Sequence, residues 1–116
     1  MRRQSHMAKF PCRLRKMRKS ARLSQRELAC LLGLRSQGLL SEIEAGLKRP
    51  SLVIALACAA VFDTSLSELF PTLVTHAERV ALAAALELHK DGFDESSNAA
   101  AFVAAIVSRL TKRHEQ

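Results

Sequence analysis

The sequence contains no tryptophan and no tyrosine, and only five phenylalanines. Sheet cores draw on β-branched and aromatic side chains, so a core restricted to Leu, Val, Ile and Ala suits short packed helices better. The three cysteines, Cys12, Cys30 and Cys58, stand far apart, with no C-x-x-C pair and no Cys/His cluster. That spacing excludes a zinc site, and the odd count fits a reduced, cytoplasmic setting. No apolar run approaches the ~18 charge-free residues of a membrane span. The basic first residues lack the apolar stretch that would follow in a signal peptide. The four histidines, His6, His76, His89 and His114, are scattered, and no nucleophile–base pair or phosphate-cradling glycine loop accompanies them. An enzyme is therefore not expected, and neither a cofactor nor a small-molecule ligand is indicated.

What is present is charge of one sign in one place. The 116 residues are 48% hydrophobic, enough for one domain or one domain with a short appendage, and carry a net charge of +7. Residues 1–50 hold 13 Lys/Arg against 3 acids, whereas residues 51–116 hold 5 against 8. The whole excess of positive charge thus lies in the N-terminal half. Such asymmetry points to a polyanion, nucleic acid before an anionic membrane surface.

Helical periodicity runs through most of the chain, and no strand alternation competes with it. Residues 1–8 form a basic arm, native or partly left by cloning, and are set aside from fold reasoning. A first helix spans about Pro11 to Ala21, with Leu14 and Met17 on one face. Ser24 and Glu27 make an S-x-x-E capping box that opens a second helix, with Leu28, Ala29 and Leu32 as its buried stripe. Gly33 ends it. A short turn through Leu34-Arg35 leads to a third helix, Ser36 to Ala45, capped by Ser36, with Leu40 and Ile43 facing inward and Gly46 as its stop. Leu47-Lys48-Arg49-Pro50 is a basic loop. Ser51 caps a fourth helix, Leu52 to Phe62, so apolar throughout that it should be the buried centre of its domain. Ser65 caps a short fifth helix through Phe70. Pro71 then marks a change of character. An Ala-rich helix from Thr72 to Lys90 gathers Leu73, Ala77, Val80, Ala81, Ala84 and Leu88 on one side. A polar loop follows at Asp91 to Asn98, and a last helix runs from Ser97 to Lys112. The expected fold is all-α, with a five-helix domain over residues 9–70 and a helical hairpin over 71–116.

Two short helices around a tight turn, with glycine at the end of the first, suggest a helix-turn-helix. Leu23-Ser24-Gln25-Arg26-Glu27-Leu28-Ala29, then Leu32-Gly33, then Leu40-Ser41-Glu42-Ile43-Glu44-Ala45-Gly46, then Arg49-Pro50-Ser51-Leu52 closely resemble the Cro/XRE type of phage-repressor family. Ser65-Leu66-Ser67-Glu68-Leu69-Phe70 is similar to that family's last helix, so the resemblance covers about residues 12–70. It implies a repressor-like DNA-binding domain whose second helix crosses the backbone while the third enters the major groove. The residues it places against base edges are Gln37, Gly38, Leu39, Ser41 and Glu42. Gln37 suits adenine, Leu39 a thymine methyl, and Glu42 a cytosine amine. Those it places near phosphate are Gln25, Arg22, Arg26, Arg35, Ser36, Lys48 and Arg49. It further implies that Gln25 braces Gln37, and that Arg18 and Glu44 form a structural ion pair. Three departures stand out, one of them the acidic Glu42 where many relatives carry a polar or basic base-reader. The turn is one residue longer than the common pattern, at Arg35 or its neighbour, and Arg22 stands where the family often has glycine.

The resemblance implies double-stranded DNA as the partner and a dimer reading two half-sites about 34–36 Å apart. In the final helix Phe102, Val103, Ile106, Val107 and Leu110 follow i, i+3, i+4 spacing. They form the dimer interface, the reading preferred here, or a stripe packed within the chain, or both, since a hairpin can use one face for each. A transcriptional regulator, most simply a repressor, is the leading function. The alternative is an antitoxin or adaptor that uses the C-terminal helices to hold a partner protein.

Overall fold

The computed structural model describes residues 9–90 and 98–114. The basic arm at 1–8 and the expected loop at 91–97 lie outside them. Among the described residues there are seven helices and no strand. They divide into two compact units, Met1–Val74 and Thr75–Gln116.

The first unit contains α1 (Leu14–Ser20), α2 (Gln25–Leu31), α3 (Gln37–Glu44), α4 (Leu52–Phe62) and α5 (Leu66–Leu69). Serine starts three of them in the same way. The hydroxyls of Ser24, Ser51 and Ser65 accept from the backbone N–H of Glu27, Ile54 and Glu68 at 3.0, 3.2 and 3.1 Å. Each satisfies an amide the helix cannot. At Ser24 the box is complete, because Glu27 Oε1 also accepts from the Ser24 N–H at 2.8 Å. That bond holds the Glu27 carboxyl below its ordinary range.

The first three helices end alike. After α1, α2 and α3 the chain turns through a left-handed residue, Arg22 (φ 60°), Gly33 (φ 73°) and Gly46 (φ 75°). The amide one residue further on reaches back, Leu23 to Arg18 at 3.1 Å, Leu34 to Ala29 at 2.9 Å and Leu47 to Glu42 at 2.9 Å. Glycine takes that backbone without cost, whereas Arg22 takes it with a Cβ in the way.

Leu14, Leu28, Leu40, Ile43, Leu69 and Cys58 have essentially no exposed surface and form the centre of the core. Each buried leucine contributes about 1.5–3 kcal/mol. Burial pushes the Cys58 thiol up to about 12, with Cys12 adding to the shift. Cys58 therefore stays protonated and acts as a small apolar filler.

Helix α4 corrects the expectation of an all-round buried centre. Only Ala55 and Cys58 are buried on it, while Leu52 and Val53 are 70% and 74% exposed. The other four short helices of the unit have too little mass to enclose α4, so one side of it is left facing out.

The second unit holds most of α6 (Pro71–Lys90) and all of α7 (Asn98–His114). Pro71 is the first residue of α6, a position that needs no N–H. Of the expected inward stripe, Leu73 is half-buried against the core of the first unit, and the remainder is displaced. Ala77, Val80, Ala81, Ala84 and Leu88 are exposed, and Ala85 is buried with Leu82 half-buried. Alanine and leucine occur all round this helix, so composition selects no side. Glu78 shares the Leu82/Ala85 side by helical spacing. It pairs with Arg113 and lies 3.3 Å from His114 Nε2. Its position near the start of α6 and theirs at the end of α7 make the two helices a hairpin.

Candidate nucleic-acid interface

Helix α3 is eight residues long and packs on α2, which ends two residues before the turn glycine Gly33. Leu40, Ile43 and Glu44 are buried, while Gln37, Gly38, Ser41 and Glu42 are exposed. Leu39 departs from the expected exposed set. It stands four residues before Ile43, is half-buried, and packs against the core. Thus the outward face of α3 is polar, with Gln37, Ser41 and Glu42 as its hydrogen-bonding side chains. Ser36 stands at the N-cap position, yet its hydroxyl makes no capping bond. The first amides of α3 therefore keep no side-chain acceptor, which suits a nearby anion.

One buried acid organises the junction of α1, α2 and α3. The Glu44 carboxylate accepts from Arg18 Nε at 2.7 Å and from Arg18 Nη2 at 3.2 Å. Arg18 Nη1 donates to the Leu23 carbonyl at 2.8 Å, so the guanidinium also ties down the α1–α2 turn. A third bond to Glu44 comes from Gln25 Nε2 at 3.0 Å. This corrects the expected brace from Gln25 to Gln37. Gln25 is drawn to the buried charge, and charge-assisted bonds are the stronger ones. Gln25 is thereby fixed at the start of α2. Arg15 approaches the same carboxylate at 3.8 Å. Beside it, a shallow cavity of about 590 Å³ is lined by Cys12, Arg15, Lys16, Lys19, Ser20 and Glu44.

The described cations differ in their partners, and Lys9, Lys16, Lys19, Arg79, Lys90, Arg109 and Lys112 are exposed with no ion pair among the described residues. Arg13, Arg15, Arg18 and Arg113 have carboxylate partners. Among the described residues, Arg22, Arg26, Arg35, Lys48 and Arg49 are exposed and make no ion pair. These five flank α2 and α3: Arg22 just before α2, Arg26 in its first turn, Arg35 before α3, and Lys48 and Arg49 after it. Unneutralised charge around a polar helix face raises the local affinity for phosphate. Arg49 has one contact that sequence reasoning missed. Its guanidinium carbon lies 4.9 Å from the centre of the Phe10 ring.

In the second unit the five apolar residues of α7 are not equivalent. Val103 and Leu110 are buried, Ile106 and Val107 half-buried, and Phe102 is 67% exposed. Val103 and Leu110 are therefore already used within the chain, which corrects their assignment as free interface residues. A stripe that follows one helical face still meets its neighbours unequally, because the hairpin covers only part of it.

Among the described residues no group of three or more His, Cys, Asp or Glu side chains is placed to hold a metal ion. No helix there is long and apolar enough to cross a membrane.

Helix α3, polar on its outward face, backed by the buried Arg18–Glu44 pair and flanked by cations without carboxylate partners, has the make-up of the second helix of a helix-turn-helix DNA-binding domain. Residues 14–69 match the helix-turn-helix family. The matching family model describes Cro/C1-type, XRE-family helix-turn-helix domains, a family of DNA-binding transcriptional regulators. No curated protein matches the chain.

Proposed function

We propose that the protein is a sequence-specific repressor that reads the major groove of double-stranded DNA with the helix at 36–45 and acts as a homodimer in the cytoplasm. The observation that carries this reading is the exposed face of α3, polar at Gln37, Ser41 and Glu42 and bordered by unpaired cations. Gln37 can take adenine N6 and N7, and Glu42 can accept from a cytosine amine but repels phosphate elsewhere. Ser36, Gln25, Arg22, Arg26, Arg35, Lys48 and Arg49 supply backbone contacts that set register without reading sequence. Leu39 contributes at most its outer edge to a thymine methyl. Phe102, with the half-buried Ile106 and Val107, offers a second copy its apolar contact.

Val80, Leu86, Leu88 and Phe102, all exposed on α6 and α7, favour one further reading. These apolar side chains also suit a partner protein, as an antitoxin or adaptor would require. Selection of binding sites from random DNA, followed by footprinting, separates the two. A recovered palindrome with half-sites about one helical turn apart supports a dimeric DNA reader. No enrichment, together with a stoichiometric protein complex, supports the adaptor.

A further inference from the structure

Arg49 is the one unpaired cation of the α2–α3 surroundings that the structure nevertheless holds in place. It makes no hydrogen bond or ion pair among the described residues, and its contact is with the face of the Phe10 ring at 4.9 Å. Attraction to a ring face uses the cation's charge and spends none of its N–H donors. A guanidinium held this way keeps its planar fork of donors for a phosphate.

Phe10 is itself anchored. Its N–H donates to the Gly46 carbonyl at 2.8 Å, at the beginning of the loop that carries Arg49. Two residues on, the Cys12 thiol approaches the Ile43 carbonyl at 3.5 Å, and the Arg13 N–H donates to Leu69 at 2.9 Å. Residues 10–13 thus form a strap along the end of α3. The loop is fixed at its other end by Pro50 and by the Ser51 cap on α4. Backbone anchoring leaves the Arg49 side chain as the mobile part, and the ring restrains it. A long side chain that is held before binding loses less rotamer freedom on meeting its ligand.

We propose that Phe10 is a positioning residue for phosphate binding: its ring pre-orients the Arg49 guanidinium toward the DNA backbone. The proposal rests on the DNA-binding reading and adds to it a residue outside the helix-turn-helix. Phe10 acts through Arg49, so its effect exists only while Arg49 is present.

The test is a double-mutant cycle on the full chain. Binding of Phe10→Leu, Arg49→Ala, the double variant and Phe10→Trp to a fluorescein-labelled mixed-sequence duplex about two helical turns long is followed by anisotropy across a salt series. Phe10→Leu is expected to weaken binding about two- to fivefold, the range of an exposed cation–π contact. Arg49→Ala should flatten the slope of log affinity against log salt by about 0.9, one phosphate contact. The double variant should bind no more weakly than Arg49→Ala alone. Phe10→Trp, with a better ring face, should match or exceed the parent, and Arg49→Ala should erase that gain. It is the variant to read if Phe10→Leu shifts the urea midpoint. Equal loss from Phe10→Leu with and without Arg49, or a Phe10→Trp gain that survives Arg49→Ala, would overturn the proposal. Absence of duplex binding by the parent chain would instead overturn the DNA-binding reading on which it rests.

Discussion

Replacing Glu44 with leucine strands a positive charge inside the first unit. The Glu44 side chain has no exposed surface and that of Arg18 is 9% exposed, so neither can turn to water without opening the core. In Glu44→Leu, Arg18 loses its bonds at 2.7 and 3.2 Å and keeps the one to Leu23. Gln25 loses its acceptor as well. Removing one partner of a buried pair costs about 3–5 kcal/mol, and the lower end applies because the Leu23 bond remains. For a unit of this size about 3 kcal/mol lowers Tm by roughly 12–24 °C. Arg18→Met alone should cost less, because Arg15 and Gln25 still face the carboxylate. The double variant Arg18→Met/Glu44→Leu should recover most of the loss, since two apolar side chains replace two buried charges. Thermal and urea unfolding followed by circular dichroism give the cycle. A Glu44→Leu cost below about 1 kcal/mol, or a double variant equal to the sum of the singles, would refute the view that this is a coupled buried pair.

Gln37→Ala should lose discrimination of about 1–3 kcal/mol at one base pair while keeping its affinity for random DNA; equal loss on both would remove Gln37 from base reading. Arg22→Gly should be neutral or stabilising by up to about 1 kcal/mol, because it relieves a left-handed non-glycine residue, yet weaken binding to all duplexes; unchanged binding would mean that Arg22 touches no phosphate. Glu27 is held below the ordinary carboxylate range by the Ser24 amide, so its contribution to stability is complete above an ordinary glutamate pKa of about 4.3 and fades as pH falls through its lower folded value. Acid titration of Glu27→Gln, which keeps an acceptor without a charge, should show a shallower loss of stability below pH ~4.3 than the parent; identical curves would contradict the charge-assisted cap.

The helix boundaries were legible because they depend on neighbours in sequence. A serine hydroxyl reaches an amide three residues on, and a left-handed stop favours glycine, so Ser24, Ser51, Ser65, Gly33 and Gly46 marked the ends of their elements directly, whereas the left-handed Arg22 and Asp63 carried no such mark. The inward Leu40 and Ile43 of α3 followed from helical spacing, and its outward polar set from the family resemblance, apart from Leu39. What the sequence by itself determined is the set of helices, the concentration of positive charge around residues 13–49, and the helix-turn-helix they make. Tertiary structure decided which partner each side chain takes. Gln25 has Gln37 and Glu44 as possible acceptors, and only packing brings the charged one to 3.0 Å. Helices α4 and α6 are apolar on several sides, so their buried sides were set by what lay against them. Phe10 reaches Arg49 across 39 residues of sequence, through a strap tied at Gly46. Contacts of that kind depend on the whole chain's path and leave no periodic signal in the sequence.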